Sequence, residues 1–453
     1  MNFFDEFVIP ASANHVLLVK YMLIISLLLF IPYVCMMLGA SFISTYYNKK
    51  GKTEGNSLYS RFAKDIIEKL SISPNAELAL GSIPAISAFF AYAQLLYTAK
   101  TITMSMMALA VILFIVSFVF IYKYRNTFKL GSILHSLKKI AGEDALASTD
   151  ENIKHVEEFE ESVESSNSST GNAGKWLLLT ATYIFAGTTA LASSPEKWES
   201  VGNILQVIFS WQTIFNFLAF TSLAGILSGG AIMFYFFRWN GGLEDMTDEY
   251  ASLIKNSAGT VAMWSGILFP LFLLISYAYL PAAALSPGVF YYMVAVLIIS
   301  LILGSSIYSM VKNSDTSSAT VVFVLIIVLI TFNILKDQLA FGNAIHDNTI
   351  EITKIADEHE KEARNKTLQT TGIDAEAIFK QKCSACHKFD QKVVGPPYQQ
   401  TVPKYNGDVQ KLGEYIFNPQ KIDPAFPPMP NQGLKKKEAN AMAEWLINQV
   451  GKK

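Results

Sequence analysis

Residues 16–45 read VLLVKYMLIISLLLFIPYVCMMLGASFIST, thirty residues in which Lys20 is the one charge. A hydrocarbon layer about 30 Å thick is crossed by about 20 helical residues, and only closed hydrogen-bonding patterns survive there. No strand-like alternation is present, so this stretch predicts a membrane-spanning helix. Seven further apolar blocks follow, at 78–98, 101–122, 176–193, 204–237, 257–280, 287–311 and 318–335. The expectation is an all-α fold with eight spans over residues 1–340. Of 453 residues 51% are hydrophobic and 16% charged, with mean hydropathy +0.31 and net charge −1. Soluble domains carry about 25% charge, so this composition excludes a disordered or nucleic-acid-binding protein. The opening MNFFDEFVIPASANH has neither a basic start nor a small-residue cleavage site, and the first span is read as a retained anchor.

Lysine and arginine collect on the inner side of bacterial membranes. With eight spans, the loops facing away from the termini hold sixteen of them; the termini side has only Lys20, Lys100, Lys197 and Lys336 near the membrane. Both termini are therefore expected outside, which is periplasmic for the inner membrane of a Gram-negative bacterium. Residues 28–42 can be laid on 218–232 so that Gly39 meets Gly229, each followed by a span opened by glycine and proline (Gly81 and Pro84; Gly266 and Pro270). This predicts a parallel four-plus-four repeat. The long loop 123–175 divides into a basic amphipathic stretch, Lys123–Ile140, expected on the inner headgroups, and EEFEESVESSNSSTGNAG, expected to be disordered. Residues 341–372 are polar and read as a periplasmic stalk to a soluble domain at 373–453.

That domain carries the chemistry. Cys383-Ser384-Ala385-Cys386-His387 has the C-x-x-C-H pattern of covalent haem attachment. Two thiols three residues apart on one helical turn reach the two vinyl groups of one porphyrin, and the adjacent histidine faces the iron. The rival readings, a redox dithiol or half a zinc site, lack a second cysteine pair and a βαβ pattern. Cys35, the third cysteine, sits in an apolar run as a small hydrophobe. Forty-two residues after His387, Met429 stands among Pro427, Pro428 and Pro430 in a polar segment where no core helix runs. A thioether there suits the sixth position of a low-spin iron.

Residues 374–450 resemble a class I cytochrome c. The lead-in Asp374–Phe379 matches the N-terminal helix of that family, and Gly395-Pro396 its Gly-Pro turn. The resemblance implies that the Pro396 carbonyl accepts a hydrogen bond from the proximal imidazole. It also implies that the hydroxyl of Tyr415, three residues before Asn418-Pro419, approaches the methionine sulfur. Glu438–Val450 resembles the C-terminal helix that crosses the first. One departure is Lys435-Lys436-Lys437 at that helix start, where acidic residues suit the dipole better.

The implied cofactor is one covalent haem c, held by Cys383 and Cys386 and ligated by His387 and Met429. The expected role is a membrane-anchored carrier of single electrons in a respiratory chain, between a quinol-oxidising complex and a terminal oxidase, reductase or soluble carrier. A six-coordinate iron leaves no open site, so a carrier fits better than an enzyme acting alone. Two alternatives stay open: a subunit of a larger membrane oxidoreductase that docks partners or quinol, and a redox-gated sensor or transporter. Of six histidines only His15 touches a span, so no facing pair for an intramembrane b-type haem exists. Twelve lysines against eight acidic residues in 374–453 would suit an acidic redox partner.

Overall fold

The computed structural model describes residues 11–71, 73–141, 151–242, 246–313, 316–370 and 373–451. These divide into two compact units, Met1–Ala356 and Asp357–Lys453, and no strand occurs among the described residues.

The first unit is built from α1 (Ala13–Glu54), α2 (Ser57–Leu70), α3 (Pro74–Leu95, with a π turn at Leu78–Ser82), α4 (Thr103–Ala141), α5 (Glu151–Ala192), α6 (Trp211–Phe237), α7 (Asp248–Ala278), α8 (Pro287–Lys312) and α9 (Ala319–Ala344). α1, α3, α4 and α6 to α9 are long and apolar enough to cross a membrane. The eighth expected span, 176–193, is not among these seven. It forms the C-terminal part of α5, where threonines and Gly187 dilute the apolar surface. Thr182 and Thr188 donate back to the carbonyls of Leu178 and Ile184, each at 2.8 Å, so their hydroxyls need no water. Leu178, Ala181 and Thr182 are buried, and Phe185 meets Phe30 of α1 edge-on at 5.8 Å.

The repeat is visible in which helices touch. α1 packs on α3 as α6 packs on α7, and α4 on α5 as α8 on α9. Likewise α1–α5 has its counterpart in α6–α9, α1–α9 in α6–α5, and α3–α4 in α7–α8. α1 and α6 meet each other between the halves. At Gly39 a Cβ would stand 2.5 Å from the Ser228 Cβ and nearer still to its Oγ; at Gly229 it would stand 2.6 Å from the Ala258 carbonyl oxygen. Only hydrogen lets these backbones approach, the small-residue packing that helices use where lipid removes the hydrophobic drive.

Two expectations for the first unit are corrected. The 123–175 loop is no surface helix followed by disorder: α4 continues unbroken to Ala141, and Glu151–Gly174 forms the first half of α5. The two extensions pair as a helical hairpin. Its contact surface is Val163, Asn167, Thr170 and two glycines, with Gly171 against Tyr124 and Gly174 against Ile121, while the serines of α5 face outward. A buried amide chain locks it to α1: Asn48 Nδ2 donates to Asn167 Oδ1 at 2.6 Å, and Asn167 Nδ2 to Thr127 Oγ1 at 2.7 Å. Acidic residues on the hairpin pair with Lys52 and Lys138. The stalk also begins later than expected. α10 (His346–Thr370) starts inside the first unit, with Ile345 and Ile352 fully buried and Asn348 Nδ2 donating to the Leu95 carbonyl at 2.8 Å.

Candidate haem-binding site

The second unit is held by α11 (Ala375–Ile378), α12 (Val409–Phe417) and α13 (Lys436–Val450). α11 starts at Asp374, whose carboxylate accepts from the Ala377 N–H at 2.9 Å. It runs into a π turn, Phe379–Cys383, closed by a bond from the Ser384 N–H to the Phe379 carbonyl at 2.9 Å. The Cys386 and His387 N–H groups then both donate to the Cys383 carbonyl, at 3.2 and 3.0 Å. One tight turn thereby presents both thiols and the imidazole. Phe379 leans on Trp445 and Phe389, with ring centres 5.1 and 5.5 Å away, which fixes the turn to α13. The lysine run at 435–437 does not leave that helix without an acidic start. The Glu438 carboxylate accepts from the Lys435 N–H at 2.8 Å and satisfies a first-turn donor.

His387 is fixed on three sides. Its Nδ1 lies 3.0 Å from the Pro396 carbonyl, so Nδ1–H is the donor and Nε2 keeps its lone pair. Tyr398 stacks on the imidazole with ring centres 5.0 Å apart and planes 24° from parallel. Gly395 lies behind the ring: a Cβ there would stand 2.7 Å from both ring nitrogens and closer to Cε1. The Gly395 N–H donates to the Cys386 carbonyl at 2.9 Å, tying this segment to the cysteine turn.

Met429 sits on an irregular loop with its own fasteners. Asn431 Nδ2 donates to the Phe417 carbonyl at 3.2 Å, and its Oδ1 accepts from the Gly433 N–H at 2.8 Å. Lys382, beside Cys383, donates to the Gln432 carbonyl at 2.9 Å and draws the loop toward the cysteine turn.

Cys383, Cys386, His387, Pro396, Tyr415 and Met429 all line one cavity, with an apolar back formed by Val402, Leu412, Ile416, Met442 and Leu446. Every site residue read from the sequence is thus brought to one place. Burial first, then neighbouring Cys386, pushes the Cys383 thiol above the usual thiol range, with Lys382 opposing. Burial also raises the Tyr415 phenol, whose ring lies 6.2 Å from that of Tyr405. Tyr398 and the Lys382 bridge were not singled out from the sequence; a lone aromatic and a lone lysine carry no spacing signal.

The residues present fit a covalently held porphyrin. Two thiols and two axial donors of the appropriate types share the cavity, one donor has its free nitrogen preserved by the Pro396 bond, and the wall behind is apolar.

No protein-family model matches the chain. Cytochrome c-551 of Pseudomonas aeruginosa is 35% identical over 80 residues, which is 17% of this chain and 77% of that protein. Cytochrome c-551 of Pseudomonas denitrificans is 37% identical over 76 residues, covering 93% of its length. Cytochrome c-552 of Nitrosomonas europaea is 30% identical over 79 residues, covering 76%. The similarity is confined to about a sixth of this chain, and cytochromes of this kind are electron-transfer proteins with covalently bound haem c. Through this domain the chain belongs to the class I c-type cytochromes.

Proposed function

We propose that the chain is a membrane-anchored c-type cytochrome passing single electrons on the outer face of a bacterial inner membrane, between respiratory donor and acceptor proteins. The observation that carries this reading is the convergence of Cys383, Cys386, His387 and Met429 on one cavity in a chain whose described residues include seven apolar, membrane-length helices. Counting the buried 176–193 helix as the eighth crossing brings both ends of the first unit to the same side, and the lysine bias makes that side the outer one.

Cys383 and Cys386 would hold one haem c through thioether bonds, and His387 Nε2 and the Met429 sulfur would take the two axial positions. Bound there, the group supplies a reversible one-electron couple. The protein's part is positional. Pro396 and Gly395 keep the imidazole in one tautomer and orientation. The Lys382–Gln432 bond holds the methionine loop near the cysteine turn. The apolar back excludes water, and a methionine ligand favours a higher potential than two nitrogen ligands. Lys382, Lys404 and Lys421 at the cavity rim suit an acidic docking partner.

The test is intact-mass spectrometry of the full chain produced in a host competent for cytochrome maturation. The wild type should carry one haem mass. Cys383→Ser with Cys386→Ser should carry none, and Met429→Ala should keep the mass but lose its low-spin spectrum. A bare wild-type polypeptide, or haem retained covalently by the double variant, refutes the assignment.

A further inference from the structure

Outside the apolar zone, α4 and α5 continue as the antiparallel hairpin of residues 123–141 and 151–174. At about 1.5 Å per residue, the step from Tyr122 to Ile140 carries α4 about 27 Å past its apolar block. Headgroups add only about 5–8 Å on each side of the hydrocarbon layer, so most of the hairpin stands in water. One side of it is covered by α1, where Asn48 donates to Asn167 and Lys52 pairs with Glu164. The other side is bare. Along it α4 carries Leu130, Ile133, Leu137 and Ile140, which are 42, 55, 55 and 82% exposed, and α5 carries Phe159, 50% exposed.

The four residues on α4 follow one another at intervals of three, four and three, the spacing of a helix that buries a seam against other helices. On the same side α5 repeats that spacing with Phe159, Ser162, Ser166 and Ser169, all exposed. Neither seam carries a charge, although the helices that bear them are strongly charged and of opposite sign. Residues 123–141 hold five basic side chains and no acidic one, whereas 151–174 hold six glutamates and one lysine. A charge-free side on so charged a hairpin suits contact with protein and not with water.

We infer that this face pairs with the same face of a second copy of the chain, forming a four-helix bundle outside the bilayer. Two copies inserted alike in one membrane are related by a two-fold axis along the bilayer normal, which runs along the hairpin. That rotation sets α4 of each copy against α5 of the other, basic against acidic, and keeps every residue at its height. Within one hairpin Tyr124 lies against Gly171 and Lys138 pairs with Glu160. Leu130 is therefore level with Ser166, Ile133 with Ser162 and Leu137 with Phe159. Across the axis, Leu130 and Ile133 meet serines, large side chains over small ones. A face about 27 Å long and about 20 Å wide, two helix diameters, buries about 1,100 Å² over both copies. That clears the roughly 1,000 Å² expected of a specific interface. The inference concerns the first unit alone and does not depend on the haem reading.

The experiment co-expresses two full-length copies with different affinity tags in a host competent for cytochrome maturation and solubilises them gently. Each tag should recover the other copy. Ile133→Glu with Leu137→Glu, both at exposed positions, should weaken pairing about a hundredfold or more and leave the haem mass unchanged. With Leu130→Cys in one copy and Ser166→Cys in the other, oxidation should link the two chains. Ser168→Cys, exposed on another side of α5, should link far less. Copies that never co-purify, glutamate variants that pair as the wild type does, or a link equally strong through Ser168→Cys each overturn the inference. So does quenching by brominated lipid tails of a fluorophore on Ile133→Cys, which would put the stripe in the bilayer. Should the glutamate variant fail to fold, the cysteine pair decides: linked chains support the bundle, and unlinked chains sink it.

Discussion

Replacing Gly395 by alanine is the sharpest test of how the protein aims its proximal histidine. The new Cβ would stand 2.7 Å from Nδ1 and from Nε2 of His387 and nearer to Cε1. It meets a ring and not the end of a flexible chain, so the imidazole or the 394–396 backbone must move. Either shift stretches the 3.0 Å bond to the Pro396 carbonyl. Overpacking of this kind costs about 1–3 kcal/mol and a lost hydrogen bond about 1 kcal/mol. The sum is about 3 kcal/mol. In a domain of this size each kcal/mol lowers Tm by about 4–8 °C, so a fall of about 12–24 °C is expected. The assay is thermal unfolding of the full chain followed at the haem Soret band, which reports the second unit alone. Gly395→Ala melting within about 3 °C of the wild type, with its low-spin spectrum intact, would show that nothing presses on the imidazole from behind.

Three further outcomes follow from the same packing. Gly39→Ala should cost about 1–3 kcal/mol at the contact between the halves, and adding Ser228→Gly should restore most of it, since Ser228 supplies the nearest atoms; detergent thermal melts of the single and double variants check this. Asn167→Ala leaves Asn48 and Thr127 without their shared partner and should cost about 2 kcal/mol, read as a lower melting point and as faster proteolysis of the 123–175 hairpin. Burial raises the Tyr398 phenol, so above about pH 10 the unfolded chain releases that proton first. The contribution of Tyr398 is then whole below about pH 10 and falls as pH rises, by up to about 1.4 kcal/mol per pH unit. Denaturant midpoints from pH 8 to 11 should fall less steeply in Tyr398→Phe; identical slopes would contradict the burial argument.

Much of the molecule was legible because strong local signals coincide with strong physical demands. Haem attachment needs two thiols and an imidazole within one turn, so Cys383–His387 declares itself in five residues. Apolar blocks of about 20 residues have few alternatives to a membrane helix. The repeat has its trace in the paired helix contacts, although the two aligned glycines meet different neighbours, Gly39 facing Ser228 on α6 and Gly229 facing Ala258 on α7. The failures have a common cause. In 157–174 glycine, serine and acidic residues imitate a chain with nothing to bury, yet Gly171, Gly174 and Asn167 find partners in Tyr124, Ile121 and Thr127 on α4 and Asn48 on α1, forty to 119 positions away. Residues 341–352 looked like the start of a stalk because Ile345 and Ile352 are thinly spaced among polar residues, yet both find the first unit's core.

The sequence by itself determined the class of each part: which segments leave water, which side chains can bind an iron porphyrin, and in what order they occur along the chain. Tertiary structure alone decided which groups are left unsatisfied. That Asn333 keeps an orphan oxygen and that Gly395 lies against the His387 ring are facts about neighbours the local pattern does not name. Hydrogen-bond saturation and steric contact are pairwise and non-local, so no periodicity or motif encodes them, and only the packed helices bring the partners together.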